Sequence, residues 1–320
     1  MHMMQVMQPV VVLAGGVGAA RFLRGLVQVV PPAEIVVIGN TADDIWWHGL
    51  YVAPDLDTVC YWLAGIADFE RGWGIAGDTF IMQARLGRLT DESWFRLGDR
   101  DLATHLYRTG RLRAGVPLDV VTDELRRRLE VASRILPMSN AAITTRLKTD
   151  RGDSHFQEYF VRDGCRPAVS GIYWTGLEDA TPAPGTIGAL EEARAVIIAP
   201  SNPIISIGPI LRVPGMRHAL QAVRERVVAV SPLIGGRAIK GPTVELMQAQ
   251  DLQADALGVA RLYSDIARGF VLDSADAHQS MRISALGYRV AVLPTLLDDP
   301  SLARAVAARA LDLAERPVAA

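Results

Sequence analysis

Three clusters in the first sixty residues carry residue types suited to phosphate and metal chemistry. Leu13-Ala14-Gly15-Gly16-Val17-Gly18-Ala19-Ala20-Arg21 stands between an apolar run and a helix-compatible stretch. Gly15, Gly16 and Gly18 would let backbone N–H groups approach an anion that a helix N-terminus also favours. Arg21 occupies the place of the third glycine of a dinucleotide fingerprint, and no Gly-Lys-Ser/Thr follows. The motif therefore points to phosphate contact, with a tight turn as its plain alternative. Gly39-Asn40-Thr41-Ala42-Asp43-Asp44 leaves a second apolar run, and Pro54-Asp55-Leu56-Asp57-Thr58 adds another acidic pair. In an extended segment Asp55 and Asp57 point to the same side. Two such clusters suit one Mg2+, which takes one or two carboxylates together with water and substrate phosphates; helix capping is the alternative for each.

Further along, Leu97-Gly98-Asp99-Arg100-Asp101-Leu102-Ala103-Thr104-His105 sets Arg100 between two acids. Held that way, a guanidinium is oriented for bidentate recognition of an acid, phosphate or ring carbonyl, although an ordinary surface ion pair gives the same pattern. His105 follows Asp101 by four residues, so a helix brings the two together. Trp46, Trp47 and Trp73 offer walls for a flat aromatic ligand, with core packing as the alternative for the first two. In the second half, Ser201-Asn202-Pro203, Ser206-Ile207-Gly208-Pro209 and Ser231-Pro232 are loops that follow strand-like runs. Ser201, Asn202, Ser206 and Ser231 would supply donors and acceptors to a nucleotide, with Asn202 set against a guanine edge. Lys240 could assist a donor phosphate or make a loop contact.

The elements that must position these groups read as α/β. Short apolar runs at 10–14, 35–39, 195–199, 227–230, 269–272 and 288–293 are buried strands, and helix-compatible stretches at 19–30, 216–225 and 243–268 separate them, with a final helix at 301–315. Such alternation predicts a doubly wound, mostly parallel Rossmann-like sheet. The stretch 91–135 reads as helical and arginine-rich, and 142–148 with 155–162 as a β-hairpin around Thr149-Asp150-Arg151-Gly152-Asp153. The expectation is one α/β unit over 1–320, with its core at about 8–75 and 186–315 and an inserted helical and β-hairpin subdomain at about 76–175.

Composition narrows the function classes. At 50% hydrophobic and 21% charged over 320 residues the chain is globular, and a formal charge of -2 gives no general attraction to nucleic acid. Cys60 and Cys165 show no CxxC spacing and no excess that would mark a disulfide scaffold or zinc site. Met1 to Pro9 carries no Lys or Arg, and no apolar run approaches the roughly 20 residues that span a bilayer. A cytoplasmic protein without membrane or nucleic-acid partners is expected.

The order of motifs, from the glycine loop through Asn40-Thr41-Ala42-Asp43-Asp44, Pro54-Asp55-Leu56-Asp57-Thr58, Arg71-Gly72-Trp73-Gly74, 97–105, Ile135-Leu136-Pro137-Met138-Ser139, His155-Phe156-Gln157-Glu158, Ser201-Asn202-Pro203 and Ser206-Ile207-Gly208-Pro209, resembles the 2-phospho-L-lactate transferase family of coenzyme F-420 biosynthesis over nearly the whole chain. The resemblance implies a Mg2+-dependent transfer: the terminal ribityl hydroxyl of the deazaflavin Fo attacks the diphosphate of a guanylyl-activated phospho-acid, forming a phosphodiester and releasing GMP. It further implies metal binding at Asp43 and Asp57, with Asp57, Thr58 and Arg100 near the acceptor, Asp44 and Asp55 in reserve, and a homodimer. The acid is open among phospholactate, phosphoenolpyruvate and phosphoglycerate. Two rivals remain: a nucleotide-sugar-binding regulator of the gluconeogenesis-factor type, whose Gly- and Ser-rich stretch is replaced here by Ile45-Trp46-Trp47-His48, and a nicotinamide-dependent oxidoreductase, against which Arg21 counts.

Overall fold

A computed structural model describes residues 8–315; the stretch read for a leader lies mostly outside them. Seven strands form one sheet: β1 (Val10–Ala14), β2 (Ile35–Gly39), β3 (Arg134–Pro137), β4 (Ala195–Ile198), β5 (Val227–Val230), β6 (Gly269–Leu272) and β7 (Arg289–Val292). Their order is β7-β6-β5-β4-β1-β2-β3, and every neighbouring pair is parallel. The central strands are apolar at every position because helices cover both faces. Along β1, Val11 and Leu13 enter one core and Val10, Val12 and Ala14 the other. Helices α1 (Gly16–Leu26), α2 (Pro54–Leu63) and, at the far end of the chain, the helix Pro300–Glu315 pack into the second core.

Strand order reverses between β1 and β4, which are direct neighbours although residues 15–194 separate them in sequence. At such a reversal the connections leave to opposite faces and open a crevice beyond the carboxyl ends of the strands. The fold thus sets the ends of β1 and β4, with the loops that leave them, at the mouth of one crevice.

Three expectations need correction. Residues 134–137, expected within the inserted stretch, are an edge strand of the main sheet; Pro137 sits at its end, where a missing N–H costs little. The expected hairpin is a three-stranded antiparallel sheet of Gly152–His155, Thr144–Thr149 and Val169–Thr175, and the chain after His155 turns into a π-helix at Glu158–Arg162. The Glu158 carboxylate accepts the His155 N–H at 3.0 Å and so draws the backbone out of strand geometry. The stretch 243–268 is two short helices, Thr243–Gln248 and Ala256–Leu262; Asp255 caps the second by accepting the Gly258 N–H at 2.8 Å, which starts a new helix rather than continuing the old one.

Candidate active site

The crevice between β1 and β4 is a cavity of about 500 Å3. Gly15, Gly16, Val17 and Gly18 line one side, tied to the β4 loop by backbone contacts. The Gly15 N–H donates to Ser201 Oγ at 3.3 Å, and that hydroxyl donates to Gly15 O at 2.8 Å. A Cβ at Gly18 would stand 2.2 Å from Pro200 O, so only glycine allows α1 to approach the β4 loop this closely. Ser201, Asn202, Ser206, Ser231 and Thr58 also line the cavity. The polar atoms of Asn202 are occupied within its own surroundings: Oδ1 accepts from Ile204 N at 2.9 Å, and Nδ2 donates to Thr243 Oγ1 at 3.2 Å. This side chain shapes its loop, and could read a base only by giving up those bonds.

Asp55 and Asp57 do not lie on an extended segment. Pro54 starts α2, and both acids sit in its first turn, where the helix dipole favours them. Asp55 faces the glycine loop. Its Oδ2 accepts from Asn40 Nδ2 at 2.9 Å, and the Gly16 backbone beside it also favours the charged carboxylate. Burial pushes Asp55 up to about 6 against the opposing pull of those two groups. Asn40 is fully buried behind it, with Nδ2 also reaching Ile205 O at 3.3 Å. Asp43 and Asp44 are buried beside this group, held well above the usual carboxylate range, Asp43 by burial and then by Asp55 and Asp44. Asp44 accepts the Tyr51 hydroxyl at 2.8 Å, while Asp43 Oδ1 and Asp44 Oδ1 have no hydrogen-bond partner.

Such a cluster fits a divalent cation. A phosphate at the glycine loop would meet the Asp55 carboxylate, and two anions side by side call for a positive charge between them. Among the described residues no group of three or more His, Cys, Asp or Glu is disposed to hold a metal ion. Magnesium needs only one or two carboxylates when phosphates supply the rest. Of the expected pair Asp43 and Asp57, Asp43 is buried beside Asp55 and Asp57 lines the cavity, as Asp55 does.

Asp57 also lines the cavity, but Arg108 holds it. The guanidinium of this arginine, 2% exposed, donates through NH1 to Asp57 Oδ2 at 3.0 Å and through NH2 to Asp57 Oδ1. Burial disfavours the Arg108 charge, and Asp57, together with Tyr61 and Asp44, more than offsets that. Arg108 belongs to α3 (Asp101–Arg113), whose inner face also carries Asp101 and His105. His105 Nε2 is 3.2 Å from Asp101 Oδ1, and Asp101 accepts the Tyr61 hydroxyl at 2.6 Å. The expected Asp101–His105 pairing is therefore present.

Arg100 is not drawn into the cavity lining. Asp99 accepts from Thr79, Ile81 and Met82, Asp101 faces Tyr61 and His105, and the exposed Arg100 donates from NH1 to Ala76 O at 3.1 Å. Flanking acids in sequence here serve other groups. Arg21, Arg96 and Lys240 are the cations on the wall, and Lys240 Nζ donates to Arg71 O at 3.2 Å. Trp47 packs against Trp94 at 4.8 Å between centroids, and Trp46 is 55% exposed, so neither lines the cavity; Trp73 does. The other aromatic rings on the cavity wall are Tyr61, Phe95, Phe156 and Phe160, the last two stacked at 5.5 Å with planes 9° apart. The π-helical turn brings Phe160 to this wall, a use of π geometry that recurs at functional sites.

Arg108 and Phe160 escaped the sequence reading, in which Phe156 stood only within a motif and without a role. The only signal for Arg108 was helical spacing, since Asp101, His105 and Arg108 fall at i, i+4 and i+7 on one face.

Comparison with known proteins follows the same lines. The sequence matches the family described as 2-phospho-L-lactate transferase CofD over residues 10–284. A phosphoenolpyruvate transferase of Streptomyces griseus subsp. griseus is 43% identical over 312 residues, covering 96% of this chain and 98% of the relative. A 2-phospho-L-lactate transferase of Methanosarcina acetivorans is 38% identical over 297 residues, covering 93% and 96%. The solved structure of a UPF0052-family protein from Bacillus halodurans aligns with a TM-score of 0.63 over 95% of this chain and 98% of that one, at 17% identity, which speaks to the fold alone. Glycine loop, acidic helix start and serine loops thus meet in one crevice of a chain that belongs to the 2-phospho-L-lactate transferase CofD family.

Proposed function

We propose that this transferase moves a phosphoenolpyruvyl group from a guanylyl diphosphate donor to the terminal ribityl hydroxyl of the deazaflavin Fo, releasing GMP. The observation that carries the reading is the buried acid at the glycine loop: Asp55, held by Asn40, faces Gly15 and Gly16, with Asp43 and its unpartnered oxygen behind it. This arrangement suits a diphosphate whose charge is shared with Mg2+. Phosphoenolpyruvate is favoured as the acid because relatives at 40–43% identity carry that name, against 38% for those named for phospholactate.

In this reading the helix α1 N-terminus, braced by Ser201, would hold the donor phosphates, and Asp43 with Asp55 would hold Mg2+. When bound, the metal offsets charge on the diphosphate as the guanylyl phosphate departs. Asp57 accepts a hydrogen bond from the attacking hydroxyl and so aims its oxygen. That oxygen bonds to the phosphorus carrying the acid, the bond to the bridging oxygen breaks with its electron pair leaving on GMP, and the hydroxyl proton passes to water. Trp73, Phe156 and Phe160 give the tricyclic ring an apolar face and exclude water from one side.

Incubating the protein with Fo, Mg2+ and each guanylyl-activated acid, then weighing the products, tests this. Phosphoenolpyruvyl-Fo and GMP in equal amounts are expected. Product from the phospholactyl donor alone would change the acid, and no product from any donor would refute the reaction.

A further inference from the structure

We propose that Arg108 is a positioning residue: it withdraws Asp57 from the cation-binding acids and fixes it as the acceptor for the attacking hydroxyl. The role given to Asp57 rests on the transfer reading above. The withdrawal rests on geometry alone. Asp55 and Asp57 both line the cavity, with Asp43 and Asp44 buried beside Asp55, yet of these four acids only Asp57 has both oxygens bound by a buried guanidinium. Seen by an approaching cation, the Asp57–Arg108 pair is close to neutral, whereas Asp43 and Asp55 have side-chain amide, hydroxyl and backbone neighbours and no ion pair among the described residues. A divalent ion is drawn to the second set.

A carboxylate offers about four lone-pair sites. The two terminal nitrogens of Arg108 occupy one on each oxygen, leaving sites for a hydroxyl on the cavity side that Asp57 lines. Arginine suits the task because its planar fork matches a carboxylate and keeps its proton. The clamp is itself braced. Arg108 NH1 lies 3.4 Å from His105 Nδ1, His105 Nε2 faces Asp101, and Tyr61, one turn after Asp57 on α2, closes the path back by donating to Asp101. Two helices are thereby locked together by polar side chains, with one end of the chain of contacts open to the cavity.

An ordinary structural ion pair predicts different behaviour, so variants separate the two. Binding of Mg2+ to the GDP-saturated full-length protein is measured by calorimetry for Asp55→Asn and Asp57→Asn. The expected result is a loss of more than tenfold for Asp55→Asn and a change within about threefold for Asp57→Asn; a larger loss for Asp57→Asn overturns the withdrawal, whether or not the chain proves to transfer anything to Fo. Turnover is then measured for Arg108→Lys, Arg108→Met and the double variant Arg108→Met with Asp57→Asn. Arg108→Met is expected to lower kcat at least a hundredfold, with GDP affinity within threefold of the parent, and Arg108→Lys to recover part of that loss. The double variant removes both buried charges, so its fold survives even where the single one fails. Recovery of turnover in it would show a structural pair and overturn the positioning role; continued loss with intact GDP and Mg2+ binding supports it. If the parent makes no product from any donor, the reaction is wrong and the Mg2+ comparison still decides the charge assignment.

Discussion

Around residues 15–18 the cavity wall is made of backbone, whereas across α2 and α3 it is made of charge. On the glycine side, shape does the work: N–H and C=O groups of Gly15 close on one serine, and Gly18 sits where any side chain would strike Pro200 O. On the acidic side, Asp57, Arg108, His105 and Asp101 are buried together, and their positions depend on one another. The first wall should tolerate a changed charge nearby but not an added carbon. The second should tolerate a changed volume but not an unpaired ion.

Breaking the pair gives the largest stability effect. Arg108→Met leaves the Asp57 charge buried without its partner, and removing one member of a buried pair costs about 3–5 kcal/mol. Urea denaturation should show that loss, with most of it recovered when Asp57→Asn is added. Gly18→Ala tests the other wall. Its Cβ forces α1 away from Pro200, an overpacking cost of about 1–3 kcal/mol, and GDP affinity should fall at least tenfold by calorimetry while Mg2+ affinity without nucleotide is kept. A smaller change is expected for Ser201→Ala. It strands the Gly15 N–H and C=O, so thermal denaturation should register about 1–2 kcal/mol.

The smallest effect concerns a histidine behind the acids. His155 Nδ1 accepts the Gln157 N–H at 3.0 Å and Nε2 faces Asp44 O at 3.2 Å, a pair of contacts that a neutral ring protonated on Nε2 makes. Burial lowers its pKa. The unfolded chain then binds the extra proton first, so this contribution to stability is full above about 6.5 and is lost as pH falls through the folded value. His155→Gln should therefore be less acid-sensitive than the parent. Melts between about pH 7.5 and 5 should show their stability gap narrowing by under about 1 kcal/mol; a constant gap would mean that His155 does not titrate differently in the two states.

The same contrast explains what the sequence discloses. The glycine wall is local: an apolar strand, a glycine turn and a helix follow one another, so β1, the loop and α1 are legible in fifteen or so residues, and the other long apolar runs give their strands equally well. The short edge strand Arg134–Pro137 was hidden because its charged first residue and terminal proline break the apolar run. The acidic wall is assembled from distant segments. Asp55 and Asp57 were visible as acids, but Arg108 lies 51 positions from Asp57, and no spacing along the chain announces which carboxylate it will choose. Arg100 shows the converse: adjacency to two acids suggested a clamp on it, while tertiary contacts give each acid other donors and Arg100 reaches Ala76 O.

The helix Pro300–Glu315 bears on how this enzyme is made. It lies directly against α1, so closely that a Cβ on Gly25 would fall 2.2 Å from the Ala303 carbonyl carbon. Arg24 reaches Asp298 O at 2.8 Å, and Arg21, one turn earlier and on the cavity wall, pairs with the Asp298 carboxylate at 2.6 Å. During synthesis the glycine loop leaves the ribosome first, and the helix that supports its back leaves nearly three hundred residues later. A nascent chain therefore carries the loop for most of its time on the ribosome without the surface that holds α1 in register. The glycine loop thus gains its backing only once the helix Pro300–Glu315 has been made and has docked against α1.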